Sequence, residues 1–434
     1  MKSKYKSTQT PHPSHRVVIV GGGFGGLYAA RMLGNKPVEV TLIDRRNFHL
    51  FQPLLYQIAT GGLSPGDIAS PLRAVLRRYK HIRVIKGKVI DIDPGTQQVI
   101  TEEDAIPYDT LIIAAGVRHH YFGHPEWERI APGLKEVEDA LEIRRRIFDA
   151  FEKAEKCDDP RRCEALLTFI IIGGGPTGVE LAGALAELAH STLKNDFRNI
   201  DPTRAKIILL EGSDRILPAF SPKLSGKAVE SLKKLGVSVR TNALVTDIQP
   251  GRVYVSRGGR RDVIEAETVL WAAGVQVNPL AEKIAEKTGA ETDRIGRIKV
   301  TEFLTIPGYD NIFVIGDIAN FSHQTGQPLP GIAPVAMQQG RYAARVITSR
   351  LSGKPIHPFR YFDKGSLAVI GRNAAIAQFK RGKLWGWFAW LIWVFVHIAY
   401  LIEFDNKLLV LFQWAYNYVT KKRGARLITM EEDP

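Results

Sequence analysis

The stretch Val17-Val18-Ile19-Val20-Gly21-Gly22-Gly23-Phe24-Gly25-Gly26 decides the fold. Its β-branched run predicts a buried strand. Glycines at 21, 23 and 26 then make a G-x-G-x-x-G turn, and the segment beyond it has helical character. Strand, glycine turn and helix in that order make a dinucleotide site: the glycines allow a tight turn and close approach of backbone to a pyrophosphate. The helix N-terminus presents unpaired N–H groups and partial positive charge to the phosphate. Outward from the loop, a second strand, Val38-Glu39-Val40-Thr41-Leu42-Ile43-Asp44, ends in an acid 18 residues after Gly26. That is close to the roughly 20 expected of the carboxylate that takes ribose hydroxyls.

About 150 residues on, the pattern returns as Phe169-Ile170-Ile171-Ile172-Gly173-Gly174-Gly175-Pro176-Thr177-Gly178. A strand Ala205-Lys206-Ile207-Ile208-Leu209-Leu210 leads to Glu211, 33 residues after Gly178, a longer crossover than usual. Two apolar runs ending in small residues echo one another, Thr110 to Ala115-Gly116 and Thr268 to Ala273-Gly274. Internal duplication is the economical reading. Two loops mean one dinucleotide held as a prosthetic group and a second exchanging electrons with it. A carboxylate at Glu211 repels a 2′-phosphate and so argues for NADH over NADPH, an argument tempered by the nearby Arg215. The segment Tyr309 to Gly316-Asp317 is a turn, an apolar strand and a Gly-Asp pair without a unit of its own. It is expected to return to the first sheet, making the second unit an insertion. The fold class is therefore α/β, with two Rossmann-like domains.

A chain of 434 residues suits two or three domains. Its net charge of +14 favours anionic surfaces. The basic residues are scattered and no nucleic-acid motif is present, so nucleic acid is not an expected partner. Cys157 and Cys163 fit neither a zinc site nor a Cys-x-x-Cys pair. They read as ordinary thiols or as a labile surface disulfide, and no metal is expected. Residues 1–14 are polar and basic, without the apolar core of a secretory signal, and read as a disordered lead-in.

Several motifs together carry a resemblance. They are Val20 to Gly26, Phe51-Gln52-Pro53-Leu54-Leu55-Tyr56, Ile172 to Gly183, Leu270-Trp271-Ala272-Ala273-Gly274-Val275, Ile315-Gly316-Asp317 and Ala336-Met337-Gln338-Gln339-Gly340. From about residue 15 to 427 the chain resembles the type II NADH:quinone oxidoreductases (alternative NADH dehydrogenases), flavoproteins with two dinucleotide-binding domains. The resemblance implies a glutathione-reductase-like plan: a split FAD domain at 15–163 and 300–370, an NADH domain at 164–299, and a membrane-associating segment at 371–434. It implies that FAD lies on Gly21, Gly23, Phe24, Gly25, Gly26, Asp44, Gln52, Thr60, Gly61, Ala115, Gly116, Asp317 and Ala333. NADH lies on Gly173, Gly175, Thr177, Gly178, Glu180, Glu211, Ala273 and Gly274. Glu180 matches the family's acid near the nicotinamide; the sequence also places it in the first turn of a helix, where the dipole stabilises any carboxylate. Glu180 and Gln338 are the candidates for placing a headgroup and delivering protons. Pro334 stands where the family shows the first glutamine of its Ala-Gln-x-Ala-x-Gln run, and proline has neither side-chain amide nor backbone N–H.

Disulfide-reducing relatives carry a cysteine pair after the first loop, whereas residues 27–60 hold no cysteine. Electrons are expected to leave the flavin directly for a quinone, without proton pumping. The alternative is a soluble flavin reductase serving a small electron-transfer protein.

The tail speaks to that choice. From Leu384 to Ile402 there is no Asp, Glu, Lys or Arg. As a helix this stretch would measure about 28 Å, against about 30 Å of hydrocarbon. Lys421, Lys422, Arg423 and Arg426 follow closely and argue against a span. The 408–419 stretch reads as an interfacial amphipathic helix: Asn406, Gln413, Asn417 and Lys421 form a polar stripe opposite Leu408, Leu411, Phe412, Ala415 and Val419, with the basic residues snorkelling. The expectation is a peripheral protein on the cytoplasmic face of the inner membrane, with a homodimer left open. A chain ending before Leu384 is expected to leave the membrane yet keep flavin reduction by NADH.

Overall fold

The structure, a computed structural model, describes residues 14–420 and 422–428. Contact density divides it into two units. The first comprises residues up to His49, Pro71–Val117 and Gln276–Phe362; the second comprises Leu50–Ser70, Arg118–Val275 and the chain from Asp363 on.

The first unit is built on a six-stranded sheet. Its order is Thr305–Ile306, Tyr309–Val314, Thr110–Ile113, His15–Val20, Val38–Asp44, Ile82–Lys86. Every neighbouring pair is parallel except the first. The central strands are almost wholly buried, as expected where helices cover both faces of a parallel sheet. The Tyr309–Val314 strand joins this sheet beside Thr110–Ile113, as its apolar run and lack of a partner unit led us to expect. The helix Phe24–Leu33 packs on the helix Ala333–Leu351. The approach is close: a Cβ on Gly340 would sit 2.2 Å from the Gly25 carbonyl oxygen.

The second unit repeats the plan on four parallel strands, Val237–Arg240, Lys206–Leu210, Thr168–Ile172 and Thr268–Trp271. The helix Val137–Glu155 buries Ala140, Ile143, Ile147, Phe151 and Ala154, the spacing of one helical face. Its start carries a reciprocal cap between Glu136 and Asp139. A three-stranded antiparallel sheet, Ser366–Gly371, Ala374–Phe379 and Gly382–Gly386, packs on the helix Pro176–Glu187. That contact needs glycine, because a Cβ on Gly183 would lie 1.7 Å from the Ile370 oxygen.

The tail differs from expectation in three ways. Leu384 and Trp385 belong to a strand, and the first tail helix runs only Trp387–Tyr400. In keeping with the expectation of no span, no helix among the described residues is long and apolar enough to cross a membrane. Second, the tail is no appendage: Ala389, Trp393 and Val410 are fully or almost fully buried within the second unit. Third, the polar stripe of the helix Phe404–Thr420 faces protein rather than water. Asn406 reaches Gly66 O and Ser70 Oγ, and Asn417 reaches Gly62 O, each at 3.4 Å. Gly62 lies in a turn and Gly66 in the one-turn helix Pro65–Ile68, where backbone acceptors lack ladder partners and need side-chain donors. Arg423 is buried and Arg426 pairs with Asp196, so neither snorkels. Lys421 lies outside the described residues. The apolar side stays exposed as anticipated, with Phe412 at 80% and Val419 at 79%.

Candidate functional site

In each unit the glycine loop does three separate jobs. Gly21 and Gly173 turn through φ +102° and +109°, and a side chain on either would strike the opposite strand end, 2.4 Å from Ala114 O or 2.7 Å from Ala272 O. Gly26 and Gly178 let helix touch strand, since a Cβ there would lie 1.8 and 1.9 Å from the oxygens of Gly21 and Gly173. Gly23 and Gly175 are different: a Cβ on them meets none of the described atoms within 4 Å. They front open space at the N-termini of the helices Phe24–Leu33 and Pro176–Glu187. Both loops therefore fit a pyrophosphate.

The acids sit alike. Asp44 accepts from Gly22 N at 2.5 Å and from Arg46 N at 2.7 Å. Burial raises its carboxyl against the pull of those bonds. Glu211 accepts from Gly174 N at 2.6 Å, and its other oxygen takes the Ser213 amide and hydroxyl at 2.7 Å. Arg215 does not temper this acid as the sequence implied. Its guanidinium holds the carbonyls of Phe220 and Pro218 at 2.7 and 2.9 Å.

Around the first loop, Phe24 is buried edge-on to His49, and Ala115 and Gly116 end the Thr110–Ile113 strand, with open space around Gly116. Gln339 Oε1 accepts from Gly316 N at 2.6 Å, which holds the turn carrying Asp317. Ala333 and Pro334 open the helix Ala333–Leu351, where proline's missing N–H is harmless. The Gln338 amide is engaged twice with the backbone of Phe362, donating to its carbonyl at 2.9 Å and accepting from its amide at 3.0 Å. Both ends of that side chain thus hold protein, with one amide N–H and one oxygen lone pair left over.

In the second unit Thr177 is half-buried in the first turn of its helix, and Ala273 and Gly274 follow the strand Thr268–Trp271. Phe122 lies on Gly274; it is 59% exposed and holds φ +51°, a conformation rare for an aromatic. Sequence reading missed Phe122, because backbone strain leaves no mark on composition. Gln52 is turned to the Lys135 carbonyl at 3.0 Å, and the Thr60 hydroxyl bonds back to Tyr56 O at 2.9 Å.

Glu180 is not in a first helical turn. The helix begins at Pro176, and Glu180 lies beyond the reach of its terminus. Burial governs it instead: enclosure of the carboxyl pushes it up to about 8, opposed only by a long 3.5 Å contact from Val369 N. At neutral pH it holds a proton. Burial drives the Tyr56 phenol well above its usual range, and the nearby Glu180 carboxylate, once charged, raises it further. A directional chain orients that phenol. Trp414 Nε1 can only donate, so it meets Gln57 Oε1 at 2.8 Å; Gln57 Nε2 then donates to the Tyr56 oxygen at 2.9 Å. The helix Leu55–Ala59, the nucleotide helix and the tail thus converge on the buried Tyr56 and the half-buried Glu180.

The profile of the pyridine nucleotide-disulphide oxidoreductases matches residues 15–340, and that of the NDH2 C-terminal domain matches residues 364–422. The type II NADH:quinone oxidoreductase Ndh of Mycobacterium tuberculosis is 44% identical over all of this chain and 94% of its own length. The chain belongs to the type II NADH:quinone oxidoreductases. A second member from that organism, NdhA, is 44% identical over 96% of this chain and 90% of its own. The NDH2 structure from Plasmodium falciparum in complex with NADH shares the fold, with a TM-score of 0.85, 21% identity, and 96% of this chain and 100% of that one covered. As a family member the protein is a flavin-dependent NADH dehydrogenase with FAD and NADH as cofactors.

Proposed function

We propose that this chain passes the two electrons of NADH to a quinone taken from a lipid surface: NADH, one proton and quinone give NAD⁺ and quinol. FAD, when bound, supplies the two-electron relay between them. The observation that carries the quinone reading is the exposed apolar face of the tail in the same unit as the Glu180–Tyr56 acid pair. Trp387, Phe388 and Phe395 on the first tail helix and Leu408, Phe412 and Val419 on the second are exposed at 48% to 80%. A surface of that kind favours lipid over a small soluble electron carrier, which docks through charge.

The residues divide the work. The first loop, Asp44 and Asp317 hold FAD, with Gln52, Thr60, Gly61, Ala115, Gly116 and Ala333 shaping its surroundings. The second loop and Glu211 hold NADH, and Glu211, with no cation paired to it among the described residues, disfavours a 2′-phosphate. Glu180 stores a proton at neutral pH and releases it when a reduced headgroup needs one. Gln338 acts on the Phe362 backbone rather than on the headgroup. Proton translocation is no part of the proposal. The attached face is the cytoplasmic side of the inner membrane, where NADH is made.

Anaerobic NADH should bleach the yellow protein, and a soluble quinone should restore its colour within milliseconds to seconds. Reoxidation by an electron-transfer protein but by no quinone overturns this reading. Sedimentation with anionic liposomes tests the attachment separately.

A further inference from the structure

The turn Thr60-Gly61-Gly62 offers three consecutive carbonyls, and each takes a donor from the last stretch of the chain. Arg423 Nη1 donates to Thr60 O at 2.9 Å, Ala425 N to Gly61 O at 3.2 Å, and Asn417 Nδ2 to Gly62 O at 3.4 Å. Gly61 turns through φ +69° there, and a Cβ on it would press on Ala425 O at 3.1 Å, so strap and turn are fitted to one another. Arg423 does more than close the turn. Its Nη2 donates to Ala184 O at 3.0 Å, four residues beyond Glu180 on the same helix, and stands 3.6 Å from Glu187. The Ala425 carbonyl takes Arg144 from the helix Val137–Glu155 at 3.4 Å. A guanidinium only 9% exposed is costly to bury. Here its planar fork bridges two backbone segments and an acid, an arrangement lysine cannot copy in full.

The bridge joins two things the reaction uses. On one side is the helix bearing Glu180. On the other is the turn that follows Tyr56 and Gln57, both tied to Trp414 of the exposed apolar tail helix. We propose that Arg423 is a positioning residue: its guanidinium locks the Thr60–Gly62 turn to the Glu180 helix and so links the seating of the tail to the geometry of the acid pair. It touches no reacting atom. This rests on the quinone reading above.

The test uses full-length, FAD-loaded protein carrying Arg423→Met, Arg423→Lys or Asn417→Ala. With Arg423→Met, hydrogen exchange in peptides spanning 55–64 should quicken tenfold or more. Bleaching by NADH should stay within about twofold, and reoxidation by a soluble quinone should slow at least tenfold with FAD content unchanged. Arg423→Lys should recover part of the quinone step, because one ammonium can still meet one carbonyl. Should Arg423→Met fail to accumulate, Arg423→Lys and Asn417→Ala carry the comparison, each expected to slow the quinone step several-fold more than the NADH step. The proposal is overturned if exchange at 55–64 is unchanged, or if both half-reactions fall together in step with folded protein. A wild type that quinone does not reoxidise sinks the quinone reading instead, while the exchange result still judges the bridge.

Discussion

The Glu211 carboxylate accepts the Gly174 amide at 2.6 Å, which binds the acid at the end of one strand to the middle of the loop that begins the preceding helix, Pro176–Glu187. Asp44 and Gly22 repeat the contact at 2.5 Å in the other unit. Each carboxylate is thereby held against the amide that follows the first glycine of its loop.

Glu211→Gln keeps a carbonyl oxygen for Gly174 but removes the charge that repels a 2′-phosphate. The ratio of kcat/KM for NADPH over NADH should rise about tenfold, the equivalent of about 1.4 kcal/mol. Steady-state kinetics with both nucleotides measure it. An unmoved ratio takes Glu211 out of the ribose role.

Glu180 supplies a pH signature in two readouts. Protonated in the fold up to about 8 but ionised in the unfolded chain above its usual 4.5, it adds stability at low pH that drains away as pH rises between those values. Glu180→Gln removes that slope, so the variant should gain in melting temperature relative to wild type on going from pH 5 to pH 9. The rate of quinone reduction should fall in wild type as pH passes about 8 and lose that limb in the variant. Parallel pH curves for the two proteins contradict both expectations.

Gln338→Leu tests whether the amide serves the chain or the headgroup. Two bonds to the Phe362 backbone are lost, each worth about 0.5–1.5 kcal/mol. Denaturant melts should therefore show a loss of about 1–3 kcal/mol, with the KM for quinone changed less than threefold. A large rise in that KM at unchanged stability restores the headgroup role.

Phe412→Glu combined with Val419→Glu alters two side chains at 80% and 79% exposure, so folding should be unaffected. Burial of a large apolar side chain is worth about 1.5–3 kcal/mol. Partition onto liposomes should drop at least tenfold while NADH still bleaches the flavin. By contrast, a chain ending before Leu384 removes a paired strand and the donors to Gln57 and to residues 60–62, and should lose FAD or aggregate rather than survive as a soluble reductase. Recovery of a stable yellow truncation would show that the tail is separable after all.

The two glycine loops, the paired acids, the return of Tyr309–Val314 and the apolar side of 408–419 could all be read along the chain. The loops, the acids and the helix side depend on residues within a single strand–turn–helix or helix repeat, and the return of Tyr309–Val314 followed from an apolar strand with no unit of its own. The reading failed where a side chain's environment comes from elsewhere. Glu180 looked like a helix-terminus acid until burial against the Ser366–Gly371 strand was visible. Asn406, Gln413 and Asn417 looked solvent-facing because a polar stripe does not say whether its partner is water or a carbonyl 355 residues away, as for Asn417 and Gly62. Arg423 looked like part of a basic cluster.

Sequence alone therefore determined the doubled dinucleotide fold, because glycine's stereochemistry and β-branched periodicity act over a few residues. Only the tertiary structure decided the protonation of Glu180, the engagement of Gln338 with Phe362 and the burial of Arg423. Desolvation and charge pairing depend on which distant atoms surround a group, and that is settled only when the chain has closed around it.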